Sequence, residues 1–159
     1  MNLPEHFDDP EFFSGPKSPR VECTIQASGK HFDPESYLRG KPFRESEDVK
    51  WGKIGLPSAI RAKIAAGELT DEGAFEIFDM PFLLLRVSRA EEMVRQAQDA
   101  ISFLTLYFDE LKELSHYPAV ENYFIRFSGG EPLTAVDFDP PEELYRLCSE
   151  IGINGVMIG

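Results

Sequence analysis

The chain has 159 residues, of which 42% are apolar and 28% charged, the size and balance of one globular domain. Sixteen basic residues stand against twenty-eight acidic ones, a net charge of −12, and such a surface repels phosphate backbones and anionic lipid headgroups while attracting a basic protein. The charge therefore argues against nucleic acid and membrane as partners, and no apolar run approaches the ~20 residues of a membrane-spanning helix.

Met1 to Arg20 carries Pro4, Pro10, Pro16 and Pro19 among acidic residues and reads as an N-terminal arm. Phe7, Phe12 and Phe13 are expected to pin it on the body, and residues 21–159 to form a single α+β domain. The arm shows neither the basic start nor the apolar run of a secretory signal. Cys23 and Cys148 both fall on apolar faces, so buried thiols in a reducing, cytoplasmic compartment are expected.

Val21 to Ser28 alternates strictly. Val21, Cys23, Ile25 and Ala27 face one way and Glu22, Thr24, Gln26 and Ser28 the other, which predicts a strand of an antiparallel or mixed sheet with one buried face. Gly29 ends it, and Asp33 and Pro34 then stand as N-cap and first residue of a short helix. Phe43 to Gly55 is charged, holds the single tryptophan, Trp51, and reads as an irregular linker. Pro57 to Ala66 has the length of a short helix closed by Gly67. Thr70 to Gly73 is a polar turn and Ala74 to Phe78 a strand. Phe82 to Val87 is apolar on both faces, which places it in the middle of the sheet.

Ser88 to Leu114 is the longest periodic stretch. Met93, Ala97, Ala100, Ile101, Leu104, Phe108, Leu111 and Leu114 recur at steps of three and four, so one long helix is expected to cross the sheet. Ser88 and Glu91 have the spacing of a capping box at its start. Asn122 to Ser128 alternates again, with Tyr123, Ile125 and Phe127 opposite Phe124 and Arg126. Gly129 to Pro132 is a turn, and Leu133 to Phe138 is expected to complete a hairpin. Asp139, Pro140 and Glu142 predict a second capped helix whose apolar stripe is Leu144, Leu147, Cys148 and Ile151. Gly152 closes it, and Ile153 to Ile158 makes a last strand.

The expected architecture is a mainly antiparallel sheet with the long helix and the C-terminal helix on one face, with duplicated ferredoxin-like halves as one form of it. An internal echo supports duplication: Thr24 to Leu38 and Phe124 to Leu144 both run strand, Ser-Gly, Phe-Asp-Pro, helix. The first copy, with the Trp-containing linker, long helix and capped last helix behind it, resembles a widespread uncharacterised bacterial domain family over Val21 to Gly159. The resemblance implies fold rather than activity, and Leu56 to Thr70 departs from it as an apparent insertion.

Chemistry-bearing patterns are sparse. His6, His31 and His116 have no metal-type spacing to one another or to a cysteine. Ser128-Gly129-Gly130-Glu131 lacks the lysine of a phosphate loop. Asp137, Asp139, Glu142 and Glu143 are acidic around a helix start, where they complement its dipole. No metal or cofactor is expected. Two features suit recognition: Trp51, and the polar side of the sheet, where Glu22, Thr24 and Gln26 join Phe124 and Arg126. The expected function is therefore binding without catalysis, most concretely by a cytosolic immunity protein that neutralises a basic bacterial toxin. The alternative is a small-ligand binder or enzyme with a pocket near His31, Asp33 and Trp51. A homodimer through the polar sheet face would cover the proposed surface.

Overall fold

In a computed structural model of the chain, the described residues are 21–53, 58–68, 80–129 and 138–159. The arm, the strand expected at Ala74–Phe78 and most of the expected hairpin after Gly129 lie outside them.

Five strands form one sheet: β1 (Glu22–Ser28), β2 (Val49–Lys53), β3 (Pro81–Ser88), β4 (Asn122–Ser128) and β5 (Gly155–Ile158), in the order β2-β3-β1-β4-β5. β1 is central and antiparallel to both β3 and β4. β2 pairs antiparallel with β3, and β5 pairs parallel with β4. The helices are α1 (Pro34–Leu38), α2 (Ser58–Ala65), α3 (Met93–Leu106), α4 (Phe108–Ser115) and α5 (Glu142–Ile151). The fold is thus α+β with a mostly antiparallel sheet. β3 and β4 run the same way with β1 between them, joined through α3 and α4 as a split β-α-β unit, whereas β4-α5-β5 joins adjacent strands. A single sheet holds both units.

One face of the sheet carries the core. Cys23, Ile25 and Ala27 of β1, Leu83 and Leu85 of β3, and Tyr123, Ile125 and Phe127 of β4 pack against Tyr37 and Leu38 of α1, Met93, Ala97, Ala100 and Leu104 of α3, Leu111 and Leu114 of α4, and Leu144, Leu147, Cys148 and Ile151 of α5. The alternating faces of β1 and β4 and the stripe of α5 read from the sequence bury here, as does the long stripe apart from Ile101 and Phe108, which are half-buried.

The long helix is broken. α3 ends and α4 begins at Tyr107, whose φ of −110° and ψ of 31° lie in the sparsely populated bridge region. Neither Pro nor Gly is responsible. In the turns before the break, the Ser102 hydroxyl donates to Gln98 O (3.2 Å) and the Thr105 hydroxyl to Ile101 O (2.7 Å), back-bonds that bend helices. The Tyr107 ring then lodges against Phe43 and Phe103, with centroids 5.2 and 4.8 Å away. Tyr37 and Tyr123 donate to Glu110 O (2.6 Å) and Leu111 O (2.8 Å), fixing α4 to α1 and β4.

Both predicted capping boxes needed correction, and only the Asp33 cap stands. Asp33 accepts from Ser36 N at 3.2 Å. Ser88 belongs to β3; its hydroxyl donates to Asp99 (2.7 Å) and accepts from Ala90 N (3.2 Å), so the helix starts only at Met93. α5 starts at Glu142 with Pro141 as N-cap and no side-chain cap bond. The tandem Pro140-Pro141 explains the delay: a residue before proline is kept out of the α region, so Pro140 cannot serve as the first helical residue after Asp139, and the helix begins only past Pro141.

The linker reading of Phe43 to Gly55 also fails at its end, where Val49–Lys53 forms the edge strand β2. Gly67 and Gly152 close α2 and α5 with positive φ, +77° and +103°. Gly29 serves close approach instead: a Cβ there would lie 1.8 Å from Ala119 O, beside the point where Glu121 N donates to Ser28 O (2.9 Å).

Candidate partner-binding surface

β1 and β4 are neighbours, so most of the predicted surface residues do meet. Thr24 lies opposite Arg126 and Gln26 opposite Phe124. On the other flank of β1, Thr24 lies opposite Arg86 and Gln26 opposite Leu84. Met157 of β5 lies beside Arg126. Alternation turns these residues away from the helices, because Cys23, Ile25, Leu85 and Ile125, one step on in each strand, are core.

This second face is not open throughout. Thr24 is 5% exposed and Phe82 8%. Gln26 Nε2 donates to Thr24 Oγ1 at 3.0 Å. Glu22 is half-buried in an ion pair with Arg86, 3.5 Å away, and Arg86 also lies 3.9 Å from Asp48. Lys50 and Phe82 are engaged in contacts of their own. What points outward is the β4–β5 side. Asn122 and Arg126 are exposed, Phe124 is half-buried and Met157 is 50% exposed. Met157 extends the predicted set. The alternation of Gly155-Val-Met-Ile is the signal that would have found Met157.

Trp51 does not join this surface. It pairs with Leu83, a core residue, so its indole lies on the helix-covered side, half-buried against the core. Its Nε1 is buried without a hydrogen-bond partner. His31 is exposed in the turn after β1, and the Asp33 carboxylate is committed to capping α1. Among the described residues no hydrogen bond, ion pair or ring contact joins His31, Asp33 and Trp51. Glu142 and Glu143 occupy the first turn of α5 and complement its dipole.

A concavity among the described residues lies elsewhere. A cleft of about 470 Å³ opens between α5 and β5, lined by Tyr145, Cys148, Ser149, Ile153, Asn154 and Val156 among others. Burial pushes the Cys148 thiol up to about 11 and raises Cys23 as well, so neither is a thiolate at neutral pH. Both cysteines are free and buried.

Gln96, which the sequence reading passed over, is fully buried and holds the end of β4. Its Nε2 donates to Ala90 O and Ser128 O, both at 2.8 Å, and its Oε1 accepts from Ser128 N at 3.3 Å. It ties the start of α3 to the strand that carries Phe124 and Arg126. Among the described residues no helix is long and apolar enough to cross a membrane. No family model, curated protein or solved structure matches the chain, and the resemblance read over Val21–Gly159 assigns no residue a role.

Proposed function

We propose that this is a non-catalytic protein-binding protein, most concretely a cytosolic immunity protein that neutralises a basic bacterial toxin. The observation that supports the reading is the outward β4–β5 side of the sheet. There an arginine without an ion-pair partner among the described residues, Arg126, stands between half-buried Phe124 and half-exposed Met157 on a rigid, hydrogen-bonded strand pair. Aromatic residues, Met and Arg are enriched in protein interfaces, and Arg and aromatics dominate their hot spots. The net charge of −12 steers a basic protein toward the chain over distance. At contact, Arg126 takes a carboxylate or backbone carbonyl while Phe124 and Met157 supply apolar area.

The test is a tagged capture at low and high salt with the native chain and with Phe124→Ser/Arg126→Glu. A stoichiometric basic protein that is lost at high salt and lost with the double variant supports a partner site here. Relief of that protein's toxicity on co-expression then separates the immunity reading from other regulatory binding. Recovery of the same proteins with both versions would refute the surface.

A further inference from the structure

We propose that two copies of this chain pair along the edge of β5 that no described strand occupies, antiparallel and centred on Met157. The two edges of the sheet differ in kind. β2 presents Lys50 and Lys53, and edge lysines are a common protection against strand addition. Among the described residues β5 has no such protection. Gly152 to Gly159 contains no charged residue, in a chain of net charge −12. Met157 is 50% exposed and Ile158 37%, and Tyr145 of the adjoining α5 is 43% exposed.

This neutrality argues for a second copy as the occupant. Two chains of charge −12 repel one another over most of their surface, and two β2 edges would set lysine against lysine. The β5 edge lets identical acidic chains meet without facing charges.

The backbone sets the register. Phe127 pairs with Ile158, and Gly159 N donates to Phe127 O at 3.0 Å. In a parallel ladder the bonding residues flank the paired one, so Met157 and Gly159 bond toward β4. Val156 and Ile158 then turn their N–H and C=O groups away from the sheet. A two-fold axis perpendicular to the sheet through Met157 sets Val156 opposite Ile158 of the second copy, and the reverse. That register satisfies all four outward groups of each copy, and centring on Val156 or Ile158 satisfies fewer. It also places the second copy's Ile158 beside Val156, at the mouth of the cleft between α5 and β5. Met157 meets its own counterpart as a non-hydrogen-bonded pair, with Cα atoms about 4.5 Å apart. The axis leaves both sets of Phe124 and Arg126 on one side of a ten-stranded sheet. A standard interface takes about 800 Å² from each partner, under a tenth of the 9394 Å² surface of this chain.

The test is sedimentation velocity of the full chain over micromolar concentrations, with Ile158→Lys as the disrupting variant and Met157→Cys as a geometric probe. The native chain is expected to show a concentration-dependent dimer. Ile158→Lys is expected to sediment as a monomer with an unchanged circular dichroism spectrum. Mild oxidation of Met157→Cys is expected to give a cross-linked dimer, because a Cα separation of about 4.5 Å suits a disulfide and the native cysteines are buried. A native chain that stays monomeric overturns the proposal. So does a dimer that survives Ile158→Lys, or a native dimer whose Met157→Cys form does not cross-link. Partner capture is tested with Phe124 and Arg126, so loss of either idea leaves the other standing.

Discussion

Replacing Gln96 by Leu keeps the size of the side chain and removes a buried latch. Three backbone groups lose their partner: Ala90 O, Ser128 O and Ser128 N. A buried polar group left unpaired costs about 1–3 kcal/mol, so the three together cost at least about 3 kcal/mol if none finds water. Ala90 is half-buried and its carbonyl can be hydrated, whereas Ser128 is 6% exposed and stays dry. Leucine returns some stability, on the order of 1 kcal/mol, through added apolar burial. The net expectation is a loss of about 3 kcal/mol, a large part of the roughly 5–15 kcal/mol that holds a domain folded. Urea denaturation should show a lower midpoint at an unchanged slope. Gln98→Leu, exposed two residues along the same helix, is the control and should stay within about 0.5 kcal/mol. A Gln96 variant that lost less than about 1 kcal/mol, or no more than the Gln98 control, would show that the latch contributes nothing net.

Leu104, with no exposed surface in the last turn of α3, should cost about 2–5 kcal/mol when cut to Ala; thermal melts would read it. Gly29→Ala drives a Cβ into Ala119 O and should cost about 3 kcal/mol or more, seen as a fall in soluble yield and melting temperature. Asp33→Ala removes a working cap and should cost about 1 kcal/mol, while Asp139→Ala should be neutral in the same denaturation assay, because α5 makes no side-chain cap bond. Cys148 has an ordinary value of 9.0 that burial raises to about 11. The unfolded chain therefore loses its proton first, so this group's contribution to stability is full below pH 9 and falls away as pH rises toward 11. Native thiols should accordingly resist a disulfide reagent near neutral pH and react on unfolding.

Periodicity carried most of the fold. β1, β3, β4 and the stripe of α5 were legible because a half-buried element must alternate at its own period. β2 was not, because an edge strand of five residues with two lysines looks like a linker; only its pairing with β3 shows Val49 and Trp51 facing the core. The break at Tyr107 leaves the apolar stripe in step and depends on hydroxyl back-bonds that spacing does not report. The two Phe-Asp-Pro echoes parted company over one extra proline. Of the candidate site, Phe124, Arg126 and Gln26 share a face as alternation required. Trp51 could be placed only once β2 was known to be a strand. Glu22 is drawn into an ion pair by Arg86, and Thr24 is covered between Arg86 and Arg126 on the neighbouring strands, partners whose position depends on strand order.

The central position of β1 also bears on how the chain assembles. β1 is the earliest of the described strands, yet its neighbours are residues 82–88 on one side and 122–128 on the other. Contacts so distant in sequence require large loops to close before any sheet bond is made, and topologies of this kind fold slowly. During synthesis β1 must wait, with Ile25 and Cys23 unburied, until β4 has been made. Over that interval α3 and α4 can already form locally, since their hydrogen bonds reach only one turn back. The helical layer is thus available as a template before the sheet that it covers, and slow steps in refolding should track strand pairing rather than helix formation.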